Sequence, residues 1–309
     1  MVASADMRTM LFETVRKLAA PPEGNKLTVD TSTATTRHDA ARQALADYLR
    51  AMRGRATPVN GTRTNRRRVR GLRREEVAVE AGISVTWYTW LEQGRPVRVS
   101  TRTLRAVARA LRLAPAERAH LLRLASAALG SPHRARLTRD PTVGLRAMVT
   151  NLSPHPAYAV NGVWEVLCRN RLADAVFGDF DREPGCTDNV LRRLLLDPEW
   201  RERFANWEEV AESAIAQFRA ATGDFVGRST WRQFVASLSA DSPWFAERWL
   251  AQRVAQPVSY AKVVRHPTAG SLRMLYASLA PDGEPPDVRL IVYTPADADT
   301  ARRIRRLCD

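Results

Sequence analysis

The chain is short of the residues on which many simple chemistries depend. Its three cysteines, Cys168, Cys186 and Cys308, are scattered and form no CxxC pair. That argues against a disulfide framework and against a zinc site, and it suits a reducing cytoplasm. Lysine is nearly missing, with Lys17, Lys26 and Lys262 set against abundant arginine. Long apolar runs are missing too: Val190–Leu196 is short and broken by arginine, whereas a membrane span needs about 18–20 apolar residues. No membrane partner is expected. Residues 140–309 contain no GxSxG, HExxH, Walker A or GxGxxG. Their histidines, His155 and His266, each precede proline and have no second His or Cys at metal-ligand spacing. No enzyme, catalytic residue, metal or cofactor is therefore expected, and Cys168 reads as a small core residue.

What is present is core-forming material and a lopsided charge. Hydrophobic residues make up 45% of 309 residues, enough to bury real cores in two domains plus tails. The formal net charge of +15 is not shared evenly. Residues 1–139 hold 27 Lys+Arg against 11 Asp+Glu, a balance of +16, while residues 140–309 hold 21 against 22, a balance of −1. Codon bias would enrich arginine in both halves without leaving one neutral. The asymmetry points to a polyanion meeting the N-terminal half.

Residues 1–37 read as a flexible tail to which no function is assigned. Met7–Ala20 could form a short amphipathic helix with Leu11, Val15 and Leu18 at helical spacing, without the features of a signal peptide. Pro21–Thr36 reads as a linker or arm. From Asp39 an apolar stripe appears, Ala41, Leu45, Tyr48, Leu49 and Met52. Gly54–Arg70 interrupts it with Pro58, Asn60-Gly61 and a cationic run, Arg63, Arg66, Arg67, Arg68 and Arg70. Four helices are predicted next: Arg73–Ala81, Ser84–Gln93, Thr101–Leu113 and Pro115–Leu129. Residues 38–130 thus read as an all-α five-helix domain and 131–141 as a linker. Residues 142–309 read as α+β. Tyr158–Arg169 looks like a hairpin turning at Asn161-Gly162, and Leu272–Leu279 with Val288–Tyr293 like a second strand pair. Residues 187–256 read as mainly helical, and Asp297–Leu307 as a closing helix.

The segment Arg73–Gly94, RREEVAVEAGISVTWYTWLEQG, has the parts that a helix-turn-helix needs. Ala78 allows close crossing, Gly82 suits a turn at positive φ, and Ser84 can cap the second helix and leave backbone N–H groups for a phosphate. Val77 and Ala81 bury the first helix. Ile83, Trp87, Tyr88 and Leu91 fall on one side of the second and pack inward. The opposite face offers Val85, Thr86, Thr89, Trp90 and Gln93 to base edges in a major groove. Arg66, Arg67 and Arg68 are assigned to phosphate or minor-groove contact, with Arg73, Arg74 and Arg95 as flanking cations. The stretch resembles the Cro/repressor-type (XRE) helix-turn-helix, including LEQGR at Leu91–Arg95, and the resemblance covers about residues 39–128. Arg74 stands where many such proteins carry Gln. The resemblance implies that Arg74 grips a phosphate, and leaves open which base the helix reads.

Six of the eight tryptophans lie in the near-neutral half: Trp164, Trp200, Trp207, Trp231, Trp244 and Trp249. Most are read as core, yet side chains of this kind also line apolar pockets. Four segments, WEVLCRN (Trp164–Asn170), NVLRRLLLDPEWRERFANW (Asn189–Trp207), SPWFAERW (Ser242–Trp249) and HPTAG (His266–Gly270), are similar to the MmyB-like regulators. That resemblance implies a PAS-like ligand-binding domain and a non-covalent, fatty-acid-like ligand. Candidate ligand residues are Trp164, Arg192, Trp207, Phe245, His266 and Tyr276; Arg192, His266 and the neighbouring Arg193 would meet a carboxylate head. The expectation is a ligand-responsive transcription regulator that binds double-stranded DNA as a homodimer. The alternative is a DNA-binding module fused to a protein-partner-binding domain of antitoxin or scaffold type. Residues 140–309 alone are expected to bind the ligand.

Overall fold

Apolar side chains at helical spacing, punctuated by Gly, Ser and Pro, shape the N-terminal half. The computed structural model describes residues 31–57, 71–129, 137–178, 180, 189–254 and 261–307. The amphipathic stretch Met7–Ala20 and the cationic Arg63, Arg66, Arg67, Arg68 and Arg70 lie outside them. Helix α1 (Thr31–Arg55) starts inside the stretch expected to be an arm. The reason is legible: no Gly or Pro occurs between Gly24 and Gly54, so nothing stops the helix from running back beyond Asp39. Its expected stripe, Ala41, Leu45, Tyr48, Leu49 and Met52, is buried throughout.

Helix α2 (Arg74–Ala81) ends at Gly82, whose φ of 68° lies in the left-handed region. Helix α3 (Val85–Glu92) follows, with Ser84 Oγ accepting from Trp87 N at 3.1 Å. Helices α4 (Thr101–Ala110) and α5 (Pro115–Ala128) complete this half. Ser100 Oγ caps α4, and α5 opens on Pro115, where a missing N–H costs nothing.

The second half is built on one five-stranded antiparallel sheet in the order β2-β1-β5-β4-β3. The strands are β1 (Ala157–Val160), β2 (Val166–Arg169), β3 (Ala261–His266), β4 (Gly270–Leu279) and β5 (Arg289–Pro295). The strand pairs expected at both ends of this half are present. The first hairpin, however, does not turn on two residues. Asn161 N donates to Glu165 O and Trp164 N to Asn161 O, which closes a three-residue loop with Trp164 at φ 66°. Asn161 Oδ1 accepts from Val163 N and Glu165 N, so its side chain and not a two-residue turn sets the register.

Helix α6 (Val143–Thr150) covers one face of the sheet with Leu145 and Val149, against Ala157, Ala159, Leu290 and a buried Cys168. The other face is covered by α7 (Arg171–Phe177), α8 (Val190–Leu196), α9 (Pro198–Arg203) and α10 (Trp207–Ala221). A short 3-10 turn (Gly223–Phe225), α11 (Ser229–Asp241) and α12 (Pro243–Leu250) follow α10. Helix α13 (Ala298–Arg305) closes the chain, with Asp297 capping it through Thr300 N. Helices inserted between β2 and β3 of an antiparallel sheet match the PAS-like, α+β expectation.

Residues from Thr36 onward form one compact unit, so the helical half and the sheet half share a core. Tyr48 Oη of α1 donates to Glu117 O of α5, and Arg55 pairs with Glu117. Gly223 brings the 3-10 turn so close to α5 that an added Cβ would stand 2.9 Å from Arg123 Cβ.

Candidate DNA interface and ligand cavity

The expected phase of the recognition helix holds. Tyr88 is fully buried and Leu91 nearly so, and the half-buried Ile83 and Trp87 pack on the same core. On the other side Val85 and Trp90 are 36% and 40% exposed, Thr86 and Gln93 are exposed, and Thr89 is half-buried. Arg73 is exposed, and so is Arg95, whose guanidinium lies 5.9 Å from the Trp90 ring. Ser84 spends its hydroxyl on the cap, which leaves the first backbone N–H groups of α3 free to meet a phosphate.

Arg74, 41% exposed at its side chain, also has a partner inside the protein. Its Nε donates to Glu92 Oε2 at 2.7 Å, and Arg53 of α1 takes the same carboxylate through Nε at 2.6 Å and Nη2 at 3.2 Å. Arg53 Nη1 also donates to Leu72 O. One carboxylate thus ties α1, α2 and α3 together. Burial works to raise the Glu92 carboxyl, but hydrogen bonds from Arg53 and Arg74 outweigh it and hold it below the usual carboxylate value. Sequence reasoning passed over Glu92. The available signal was an acid on the recognition helix of a strongly basic segment.

In the sheet half a cavity of about 310 Å³ lies between the sheet and helix α10. Tyr158, Trp164, Phe177, Trp200, Phe204, Tyr276 and Tyr293 form its aromatic wall. Val210, Ala214, Gln217 and Ala221 of α10 line it at i, i+4, i+7 and i+11, a stripe of about 16 Å at 1.5 Å per residue. Tyr276 Oη donates to Gln217 Oε1 at 3.5 Å, and the Tyr158 and Tyr293 hydroxyls are 3.5 Å apart. Burial pushes the Tyr158 hydroxyl well above its usual value.

Lys262 of β3 faces this cavity. Its Nζ donates to Tyr293 Oη at 3.3 Å and lies 4.3 Å from the centroid of the Tyr276 ring. Burial pushes Lys262 down to about 8, with no carboxylate acting to restore it. The remaining wall comes from the other half of the chain: Ala116, Ala119 and Arg123 of α5. Arg123 stands near Asp224 and Arg289, which line the cavity at the same end.

Of the expected ligand residues, Trp164 and Tyr276 line the cavity; the other four do not. Arg192 pairs with Asp241 at 2.5 Å and donates to Ser237 on α11. Trp207 Nε1 donates to Leu194 O at 2.7 Å, and its ring sits 4.8 Å from that of Trp244. Phe245 is fully buried and stacked on Trp249. His266 Nε2 donates to Ala175 O at 2.8 Å while Nδ1 accepts from Thr268 N and Ala269 N. These four are tied into packing and local hydrogen bonds, as is Arg193, which pairs with Asp197 and sits over Trp200. Lys262 and the α5 residues were missed. The single lysine of residues 140–309 was a signal for the first; the spacing of Ala116, Ala119 and Arg123 on one helix face was a signal for the others.

Two family comparisons fit this geometry. A helix-turn-helix domain family matches residues 44–121, and the family described as the MmyB-like transcription regulator ligand binding domain matches residues 142–307. No curated protein matches the chain. The matched families are both regulatory, and the helical and sheet halves correspond to them in order. The chain belongs to the MmyB-like transcription regulators, DNA-binding proteins with a ligand-binding domain.

Proposed function

We propose that the ligand sensed by this regulator is an apolar, fatty-acid-like molecule held without a covalent bond. The observation that carries this reading is the cavity itself: about 310 Å³, walled by seven aromatic side chains and a mostly aliphatic helix stripe. Small-molecule sites are of this kind and of about this size or larger. Each methylene enclosed there contributes about 0.8 kcal/mol, so a long chain reaches micromolar affinity with little help from its head. The test is mass spectrometry of a denaturing extract of the purified protein. A co-purified chain-like small molecule is the expected result; a co-purified polypeptide would replace this reading with a protein-binding scaffold.

The DNA-facing set follows from the exposed side of α3. Val85, Thr86, Thr89 and Trp90 read base edges, and Arg73, Arg95 and the Ser84 end of the helix meet phosphates. Base contacts contribute about 1–3 kcal/mol each, whereas phosphate contacts are blind to sequence. Thr86→Ala combined with Thr89→Ala is therefore expected to abolish operator discrimination and leave weak, salt-sensitive binding. A double variant that still separates operator from random DNA as the wild type does would show that another face reads the bases. The same footprints test a second part of the proposal, a homodimer on an inverted repeat. Two protected half-sites about one DNA turn apart are expected, and a single asymmetric half-site with a monomer's mass in solution would remove the dimer.

A further inference from the structure

Among the described residues Lys262 has no carboxylate partner, and its contacts are a tyrosine hydroxyl and two tyrosine rings. An ammonium taken out of water without a counter-charge is costly, and an anion entering the cavity would offset that cost. The position of Lys262 then decides which way round the ligand lies. Strand β3 adjoins the N-terminal end of α10, since Phe204 bridges to Val264 and Ala205 N donates to Val263 O at 3.1 Å. Helix α5 adjoins the opposite end, where the 3-10 turn after α10 presses on Arg123. Lys262 Nζ itself lies over the Tyr276 ring, whose hydroxyl meets Gln217 partway along the α10 stripe, so Lys262 and α5 line separate parts of the cavity wall.

We propose that the cavity takes a single-chain carboxylate head first, with the carboxylate on Lys262 Nζ and the Tyr293 hydroxyl and the tail ending against Ala116 and Ala119 of α5. This rests on the reading of the cavity as a site for an apolar chain, and adds the head group, its orientation and the element that meets the tail. Arg123 and Arg289 at the α5 end are the competing anchors. Arg123 has a buried Nε without a hydrogen-bond partner, but Asp224 stands beside it and would repel a second carboxylate, and Arg289 Nη1 already donates to Pro286 O and Val288 O. The orientation makes chain length a signal to the DNA-binding half. A tail too long for the cavity pushes on α5, and the Gly223 contact leaves no slack to absorb the push. Through Glu117, α5 is fastened to Tyr48 and Arg55 of α1.

The test is calorimetry on the full chain with straight-chain carboxylic acids and the matching primary alcohols in a series of lengths. Acids are expected to bind about tenfold or more tighter than alcohols of equal length, the size of a charge-assisted hydrogen bond. Lys262→Met should remove that preference while leaving alcohol affinity within about twofold of the wild type. Replacing an unpaired buried cation by an apolar side chain is neutral or stabilising, so this variant should fold; Lys262→Gln provides the same comparison. Ala119→Leu should shift the best-binding acid to a shorter chain and keep the acid preference. An acid preference that survives Lys262→Met, or that disappears in Arg123→Met instead, would place the head at α5 and overturn the proposal. If neither acids nor alcohols bind, the reading of the cavity as an apolar-chain site falls with it.

Discussion

Glu92→Ala is expected to cost the protein about 3 kcal/mol or more of stability and its DNA binding with it. Glu92 is 1% exposed and is gripped by two guanidinium groups, Arg53 from α1 and Arg74 from α2. Breaking a buried pair by removing one partner typically costs about 3–5 kcal/mol, because the surviving charge stays buried and unpaired. Arg74 can turn toward water, but Arg53 is largely enclosed, so the lower part of that range applies. In a folding unit of this size that lowers the melting temperature by about 6–12 °C. The recognition helix loses its tie to α1 in the same step. Glu92→Gln keeps the shape and some of the hydrogen bonding, and should fall between. Acid dependence gives a second signature. The folded Glu92 carboxyl is held below its unfolded value of about 4.3, so its contribution is present above that value and is lost as pH falls through the lower folded one. The wild type should therefore lose stability on acidification more steeply than Glu92→Gln. A Glu92→Ala protein that melts with the wild type and still binds its operator would show that the clamp is dispensable.

The helix-turn-helix was legible in the sequence because it is specified locally. Ala78, Gly82 and Ser84 act within a few residues of themselves, through close crossing, a left-handed φ and a hydroxyl cap, and the phase of α3 follows from their positions. The Arg53–Glu92–Arg74 cluster was not legible, because its members lie 39 and 18 residues from Glu92 and no local rule joins them. The same holds for the cavity, whose wall takes residues from Ala116 to Tyr293. Composition indicated an aromatic-lined site somewhere in residues 142–309. It could not say that Trp207 and Phe245 would turn to the core while Tyr158 and Tyr293 turned to the cavity.

Strand β3 escaped notice for a related reason. It is six residues long and half polar, and its register is set by pairing with β4 and not by its own pattern. With it went Lys262. The expectation that residues 140–309 alone hold the ligand also changes with the geometry, since Ala116, Ala119 and Arg123 belong to the DNA-binding half. The isolated second half lacks one wall of the cavity, and the full chain is the species in which to measure binding.

The largest losses of ligand affinity are expected from Trp164→Ala and Tyr276→Ala, and none from His266→Gln. Trp164 and Tyr276 line the cavity, Trp164 edge-on to Phe218 at 5.5 Å and Tyr276 against Tyr293 at 5.6 Å. Removing either ring withdraws the surface on which several methylenes would lie, a loss of about 1–3 kcal/mol or roughly ten- to a hundredfold in affinity. Trp164 allows a control, because it sits at φ 66°, where a non-glycine residue carries about 1–2 kcal/mol of strain. Trp164→Ala keeps most of that strain and Trp164→Gly releases it, so the two variants should bind equally poorly while the glycine variant is the more stable. His266 behaves differently. Its ring donates to Ala175 O and accepts from two backbone N–H groups, and it does not line the cavity. Leaving those N–H groups without their acceptor costs about 1–3 kcal/mol of stability, so His266→Gln should melt a few degrees lower and bind ligand as the wild type does. Calorimetry and thermal melting on the four variants separate these effects. Affinity lost in His266→Gln but kept in Trp164→Ala and Tyr276→Ala would move the ligand away from the aromatic cavity and make it a polar molecule.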